Sequence, residues 1–175
     1  MEENKVTTIG MHAWFARAET GVSSETLKPA ANATSWKRIP DLEEGIEFNP
    51  NEEYIEHMRP NPTVLALADR FIKSRKLELT VHSKSIGPLQ VELLLGTQAI
   101  STASTYANPS RGTSSGVRGW LRVQAYDKDD TGLIYIDVWC QLSIRSSTTM
   151  SSSDAFKADI VAAVLANENN IITLP

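Results

Sequence analysis

The chain has 175 residues, 41% of them hydrophobic and 22% charged, and a formal net charge of −4. That length suits one domain with a sizeable core, and the negative balance argues against a duplex-binding protein that works by neutralising phosphates. A single cysteine excludes an intrachain disulfide framework and a multi-cysteine zinc site.

No apolar run approaches the roughly 20 residues of a membrane span, and MEENKVTTIG holds no signal-peptide core. The expectation is a chain folded in a reducing, soluble setting and not bound to membrane. The first element, Ile9 to Ala18, is rich in aromatic and bulky residues and reads as a strand. A Ser/Thr/Ala/Pro stretch without periodicity follows at about 19–35 and reads as a long loop, uncommon inside a compact domain and usually functional or disordered.

Structure resumes at WKRIPDLEEGIEFNPNEEYIEHM, where Ile46 and Phe48 share one parity. A second long loop is expected at about 59–75. Within it TVLALADRFIKS is ambiguous: Val64, Leu65, Ala68, Phe71 and Ile72 make a helical stripe, yet the segment could equally be an extended arm. LELTVHS is a strand with Leu77, Leu79 and Val81 inward and Glu78, Thr80 and His82 outward. In SIGPLQVELLLGT, Pro88 suits the first helical position and Gly96 the C-terminal cap, with leucines at helical spacing, so one short helix is predicted there. A third loop covers about 101–116. The tail segment DAFKADIVAAVLA is compatible with a helix or with a strand through Ile160, Ala162 and Val164, its alanines tilting the local balance to helix.

Arg122–Ile144 carries the clearest pattern. Ile134, Ile136, Val138, Cys140, Leu142 and Ile144 share one parity, as do Val117, Leu121, Val123 and Ala125 upstream. Two alternating runs around an Asp/Gly-rich connection specify a β-hairpin. With partner numbers summing to 259, Val123 meets Ile136 and Leu121 meets Val138 on the core face. Trp120 then pairs with Trp139, Arg122 with Asp137 and Gln124 with Tyr135 on the other. The connection resembles a calcium loop only in composition: counted from Asp127, the twelfth position is Val138, which cannot ligate a cation. The aromatic second face, Trp120 and Trp139 above all, is more apolar than solvent requires and suggests contact with another chain.

Catalytic chemistry has no anchor in the sequence. His12, His57 and His82 lack companions at ligand spacing, no Gly-x-Ser-x-Gly elbow is present, and no carboxylate pair stands out as acid and base. The reading is therefore no enzyme, no cofactor and no metal. Charge is more informative: Asp41, Glu43, Glu44, Glu47, Glu52, Glu53 and Glu56 run without a Lys or Arg among them, and Arg70, Lys73, Arg75, Lys76 and Lys84 follow. Two patches of opposite sign suit head-to-tail association, or an acidic face lining a passage for a polyanion.

The order WKRIPDLEEGIEFNPNEEYIEHMRP, LELTVHSKSIGPLQVELLLGT, a late hairpin and FKADIVAAVLANENNIITLP resembles the tail tube (major tail) proteins of long-tailed bacteriophages. That resemblance implies a single mainly β domain over residues 1–175, a β-sandwich or barrel-forming sheet with one short flanking α-helix and long loops. It further implies hexameric rings stacked into a tube, a virion protein whose partners are itself and other tail proteins (tape measure, terminator, baseplate or tip), and DNA passing through without specific binding. Under it Glu43, Glu47 and Glu53 are lumen candidates, and Arg70, Lys73, Arg75, Lys76, Trp120 and Trp139 are subunit-interface candidates. The final segment becomes a strand, and the long loops join rings. The alternatives are a tube protein of a related contractile secretion system, a carbohydrate- or receptor-binding β-sandwich, and a small hydrolase of unrecognised type.

Overall fold

The computed structural model describes residues 10–39, 42–61, 64–84, 87–95, 117–126, 132–144 and 158–173. The elements run β1 (Gly10–Arg17), β2 (Lys37–Ile39), β3 (Leu42–Asn61), β4 (Val64–Ser83), α1 (Pro88–Leu95), β5 (Val117–Tyr126), β6 (Gly132–Ile144), β7 (Ala158–Val164) and β8 (Ile171–Thr173). The fold is mainly β with one short helix, as expected. The strands form one antiparallel sheet in the order β2-β1-β5-β6-β7-β4-β3, with β8 beside β6.

Alternation explains how one sheet makes a core. Ala13 and Phe15 of β1, Ile46 of β3, Leu79 and Val81 of β4, and the alternate residues of β5, β6 and β7 pack as one buried cluster. Those side chains all leave the same face, so the sheet curls to enclose them and β1 comes against β3. Leu89 and Leu93 of α1 pack on the same cluster.

The β5–β6 register is the one expected: Val123↔Ile136, Leu121↔Val138, Trp120↔Trp139, Arg122↔Asp137 and Gln124↔Tyr135 are all paired. The connection from Asp127 to Thr131 lies outside the described residues, as does the expected 101–116 loop. Residues 59–75 are not a loop: Arg59–Asn61 complete β3 and Val64 opens a 20-residue strand. VLALADRFIKS is therefore extended, not helical. The tail also resolves to a strand, β7, because Ala158, Ile160 and Ala162 fill core positions between β4 and β6. Tertiary burial outweighs the small helix preference of alanine there.

The helix begins where the sequence says it should. Pro88 takes the first position, and the Gly87 N–H donates to Gln90 Oε1 at 3.0 Å, closing the first turn from the side chain of its third residue. Gln90 Nε2 donates to Ser83 Oγ, and Glu92 is ion-paired to Arg17, so two buried polar side chains dock the helix to β4 and β1.

Gly119 shows how tightly the strands are set. A Cβ added there would run into the Ala16 carbonyl and the Phe15 ring. Gly119→Ala should therefore lower stability by about 1–3 kcal/mol, read as a drop in the urea midpoint at unchanged slope.

Candidate functional site

β4 pairs with β7 only over Glu78–Ser83, while β3 and β4 pair with one another as far as Asn61↔Val64. From Val64 to Leu77 the hairpin is therefore a two-stranded ribbon, about 45 Å along the strand at roughly 3.3 Å per residue. Among the described residues β3 has no partner on its outer side. This arm is the part of the molecule whose surface its own fold leaves unexplained.

Two register shifts decide what the arm shows. Glu53 pairs with Ser74 but Tyr54 with Ile72, and His57 pairs with Asp69 but Met58 with Leu67, so Lys73 and Ala68 are the extra residues of two β-bulges. Each bulge resets the alternation of β4. As a result Phe48, Pro50, Tyr54, Met58 and Pro60 of β3 share a face with Leu65, Leu67, Ile72 and Leu77 of β4. It is the same face that holds Ile46, Leu79 and Val81 in the core. The apolar side of the sheet thus continues outward along the arm, interrupted by the Glu52–Arg75 and Glu56–Arg70 pairs on the same face, and none of the described residues covers it: Leu65 is 66% exposed and Ile72 52%. The opposite face carries one further apolar pair, Ile55 beside Phe71, each 55% exposed.

The charged candidates lie on this same ribbon and meet one another. Arg75 bonds Glu52 at 2.5 Å, Lys73 lies 3.5 Å from Glu53, and Arg70 lies 3.7 Å from Glu56. The Arg70 guanidinium also sits 3.7 Å above the Tyr54 ring. Tyr54 donates its hydroxyl to Glu52, and that bond, with Arg75 behind it, holds the Glu52 carboxyl below its usual range. The acidic and basic segments are thus antiparallel partners within one hairpin, not two separate patches. Lys76 stands opposite Asn51. Exposed pairs of this kind contribute little stability, about 0–1 kcal/mol each, but they cancel most of the arm's charge locally.

Of the lumen candidates, Glu47 and Glu53 leave the face opposite the core. Glu47 reaches to 3.6 Å from His82, and Glu53 is the partner of Lys73. Glu43 is in β3, and its side chain lies outside the described residues.

Trp120 and Trp139 correct the sequence reading. Both are buried, 0% and 5% exposed, by the chain's own 18–36 segment and by Leu165. Trp120 Nε1 donates to the Ser24 carbonyl at 2.8 Å, and the Trp139 N–H donates to Asn170 Oδ1 at 2.7 Å. Beside them Arg122 makes a two-pronged pair with Asp137 at 2.8 and 2.9 Å and donates to the Ala31 carbonyl at 2.9 Å. Its guanidinium lies between the Trp36 and Tyr135 rings, and Lys28 approaches Asp137 to 3.3 Å. The aromatic face is not offered to a neighbour; an arginine rivets a loop onto it.

Among the described residues no group of three His, Cys, Asp or Glu could hold a metal ion, and no helix is long and apolar enough to cross a membrane. His12 contacts Arg38, Trp14 and Tyr126, and His57 is paired with Asp69 across the arm.

No family model matches the sequence, and no curated protein matches it. Among solved structures the chain is similar to one in the cryo-EM structure of the anti-feeding prophage (AFP) baseplate, 6-fold symmetrised. The match has a TM-score of 0.52 at 8% identity and covers 99% of this chain and 97% of that one. It also matches a chain in the tail of an empty GTA particle with C6 symmetry, at a TM-score of 0.41 and 11% identity over 85% and 92% of the two chains. The first likeness shows a shared fold.

Removing the rivet should release the loop. Arg122→Met leaves Asp137 buried with only Lys28 beside it and should cost about 3 kcal/mol, the lower end for one broken buried pair. Limited proteolysis should then cut within residues 18–36 of the variant before it cuts the wild type.

Proposed function

We propose that this chain is a structural, non-enzymatic subunit of a phage-type tail, assembling through its arm into stacked rings, six copies to a ring, that form the tube through which DNA is ejected. The observation that carries this reading is the uncovered apolar stripe of the β3–β4 arm. Six large side chains of that stripe, Phe48, Tyr54, Met58, Leu65, Leu67 and Ile72, are 39% to 66% exposed and amount to roughly 500 Å² of apolar surface, at the upper end of the largest patch on a typical soluble monomer, and Ile55 with Phe71 adds to the other face. Apolar groups on both faces of the ribbon mean that an element must cover each side, as happens when an arm is clamped between neighbouring copies. A whole-length fold likeness to a chain of a six-fold baseplate supports the same reading.

Under this proposal the arm binds by apolar burial. Arg70, Lys73, Arg75 and Lys76 keep it in register and limit misdirected pairing, with only their unspent charge left for steering. Glu43, Glu47 and Glu53 belong to the acidic lining of the passage, which repels phosphate rather than binding it. The partners are further copies and the other proteins of the tail. A second reading, a baseplate ring rather than a tube ring, draws support from the particle in which the full-length fold likeness occurs.

The test is assembly. Wild type at rising concentration should give rings or tubes by negative-stain electron microscopy and masses above the monomer by light scattering. Leu67→Glu with Ile72→Glu should keep the circular dichroism of the wild type and a stability within about 1 kcal/mol, as for exposed positions, while remaining monomeric. A strictly monomeric wild type overturns the proposal; equal assembly by the double variant removes this stripe from the contact.

A further inference from the structure

At the root of the arm, on the face away from the core, His82 of β4 stands between two carboxylates from two other strands. Its Nδ1 lies 2.8 Å from Asp159 Oδ1 on β7, and its Nε2 lies 3.6 Å from Glu47 Oε1 on β3. His82 and Asp159 are direct cross-strand partners, while Glu47 pairs with the adjacent Thr80, which places it on the diagonal. A neutral imidazole carries one N–H and can serve one of these oxygens as a donor. Only the imidazolium donates from both nitrogens.

We propose that His82 is a proton-dependent clasp that ties the edge strand β3, through Glu47, to β7 across the intervening β4. Among the described strands β3 is hydrogen-bonded to the sheet through β4 alone, so on the face away from the core the clasp adds a side-chain link that reaches past β4. Deprotonation keeps the hydrogen bond to Asp159 and ends the ion pair with Glu47. It also removes the imidazolium charge that stands between Glu47 and Asp159 across β4. Glu78 of β4 and Lys84, one residue past its end, are the other charged residues at alternate positions flanking His82. They are of opposite sign. The surroundings favour the charged ring: the Asp159 hydrogen bond, opposed by partial burial and aided by Glu47, raises the histidine above its ordinary value near 6.5.

The sign of the effect follows. A group whose pKa is raised by folding stabilises fully below its unfolded value, and that contribution is lost as pH rises through the folded value. The root of the arm is therefore firmest in mild acid and loosens from neutral pH upward. That loosening weakens assembly in alkali, a consequence that rests on the tail-subunit reading; the clasp itself does not.

Two measurements on the full chain separate these claims. Deuterium exchange at the imidazole C2 of His82, followed by mass spectrometry across about pH 5.5–9, reports its titration whether or not the protein assembles, and a midpoint above 6.5 is expected. A midpoint at or below 6.5 overturns the clasp. Melting temperatures of wild type, His82→Gln and Glu47→Gln across the same range should show the wild-type advantage over His82→Gln greatest in acid and shrinking with rising pH. Glu47→Gln should lose part of that advantage and His82→Gln all of it. A difference between wild type and His82→Gln that is flat with pH overturns the proposal. If either variant fails to fold, the exchange measurement on wild type decides alone. Light scattering at about pH 6 and about pH 8.5 then reads assembly: unchanged assembly beside a confirmed titration removes the regulatory consequence, and no assembly at either pH removes the tail reading and leaves the clasp standing.

Discussion

A sheet with one mostly apolar face cannot stay flat in water, and this chain has one such sheet. Curling hides that face wherever strands lie side by side, and the resulting core draws on β1 to β7, with α1 over it. The arm obeys the same alternation but runs beyond the last neighbour. Its inner face is a core face without a core, and the register of β3 against β4 allows no rotation to hide it. Most of the functional reading descends from that constraint.

The other face of the sheet has a different solution. There the problem is a buried guanidinium and a buried carboxylate among aromatic rings, and each is satisfied by the other and by the 18–36 segment. Pairs of this kind contribute more to selecting one arrangement than to net stability, and here the arrangement selected is a long irregular stretch held flat on Trp120 and Trp139. A segment that composition alone marks as a loose connector is thus part of the domain's wall. Gly21, at φ 79°, makes the tight turn by which that segment leaves β1.

The register of the late hairpin was legible because β5 and β6 keep the two-residue period from Val117↔Leu142 to Ala125↔Ile134: one parity is apolar, the other polar or aromatic, and a single register matches them. Helix α1 was legible from Pro88 and its leucines. The arm was not, and its bulges are the reason. Inserting Ala68 and Lys73 into an alternating strand sets Leu65, Ala68, Phe71 and Ile72 at the threes and fours that look helical. In the charge pattern, the acidic and basic runs were visible, but their being antiparallel strands of one hairpin required the register. Burial of Trp120 and Trp139 was hidden for a similar reason: what covers them lies about 90 residues away along the chain, as in the Trp120–Ser24 bond. His82 between two carboxylates likewise depends on which strands are neighbours, and only the outward parity of His82 could be read in advance.

The two bulges also bear on how such an arm can change over generations. A single inserted or deleted residue in β3 would turn every position beyond it from one face to the other, moving Met58 and Pro60 to the polar side. An insertion in β4 has the same effect unless it lands as another bulge. Lineages derived from this chain should therefore lengthen or shorten the arm by matched pairs on both strands, or by one residue together with a compensating bulge. Simple one-residue gaps between Phe48 and Leu77 should be rare even where substitutions are common.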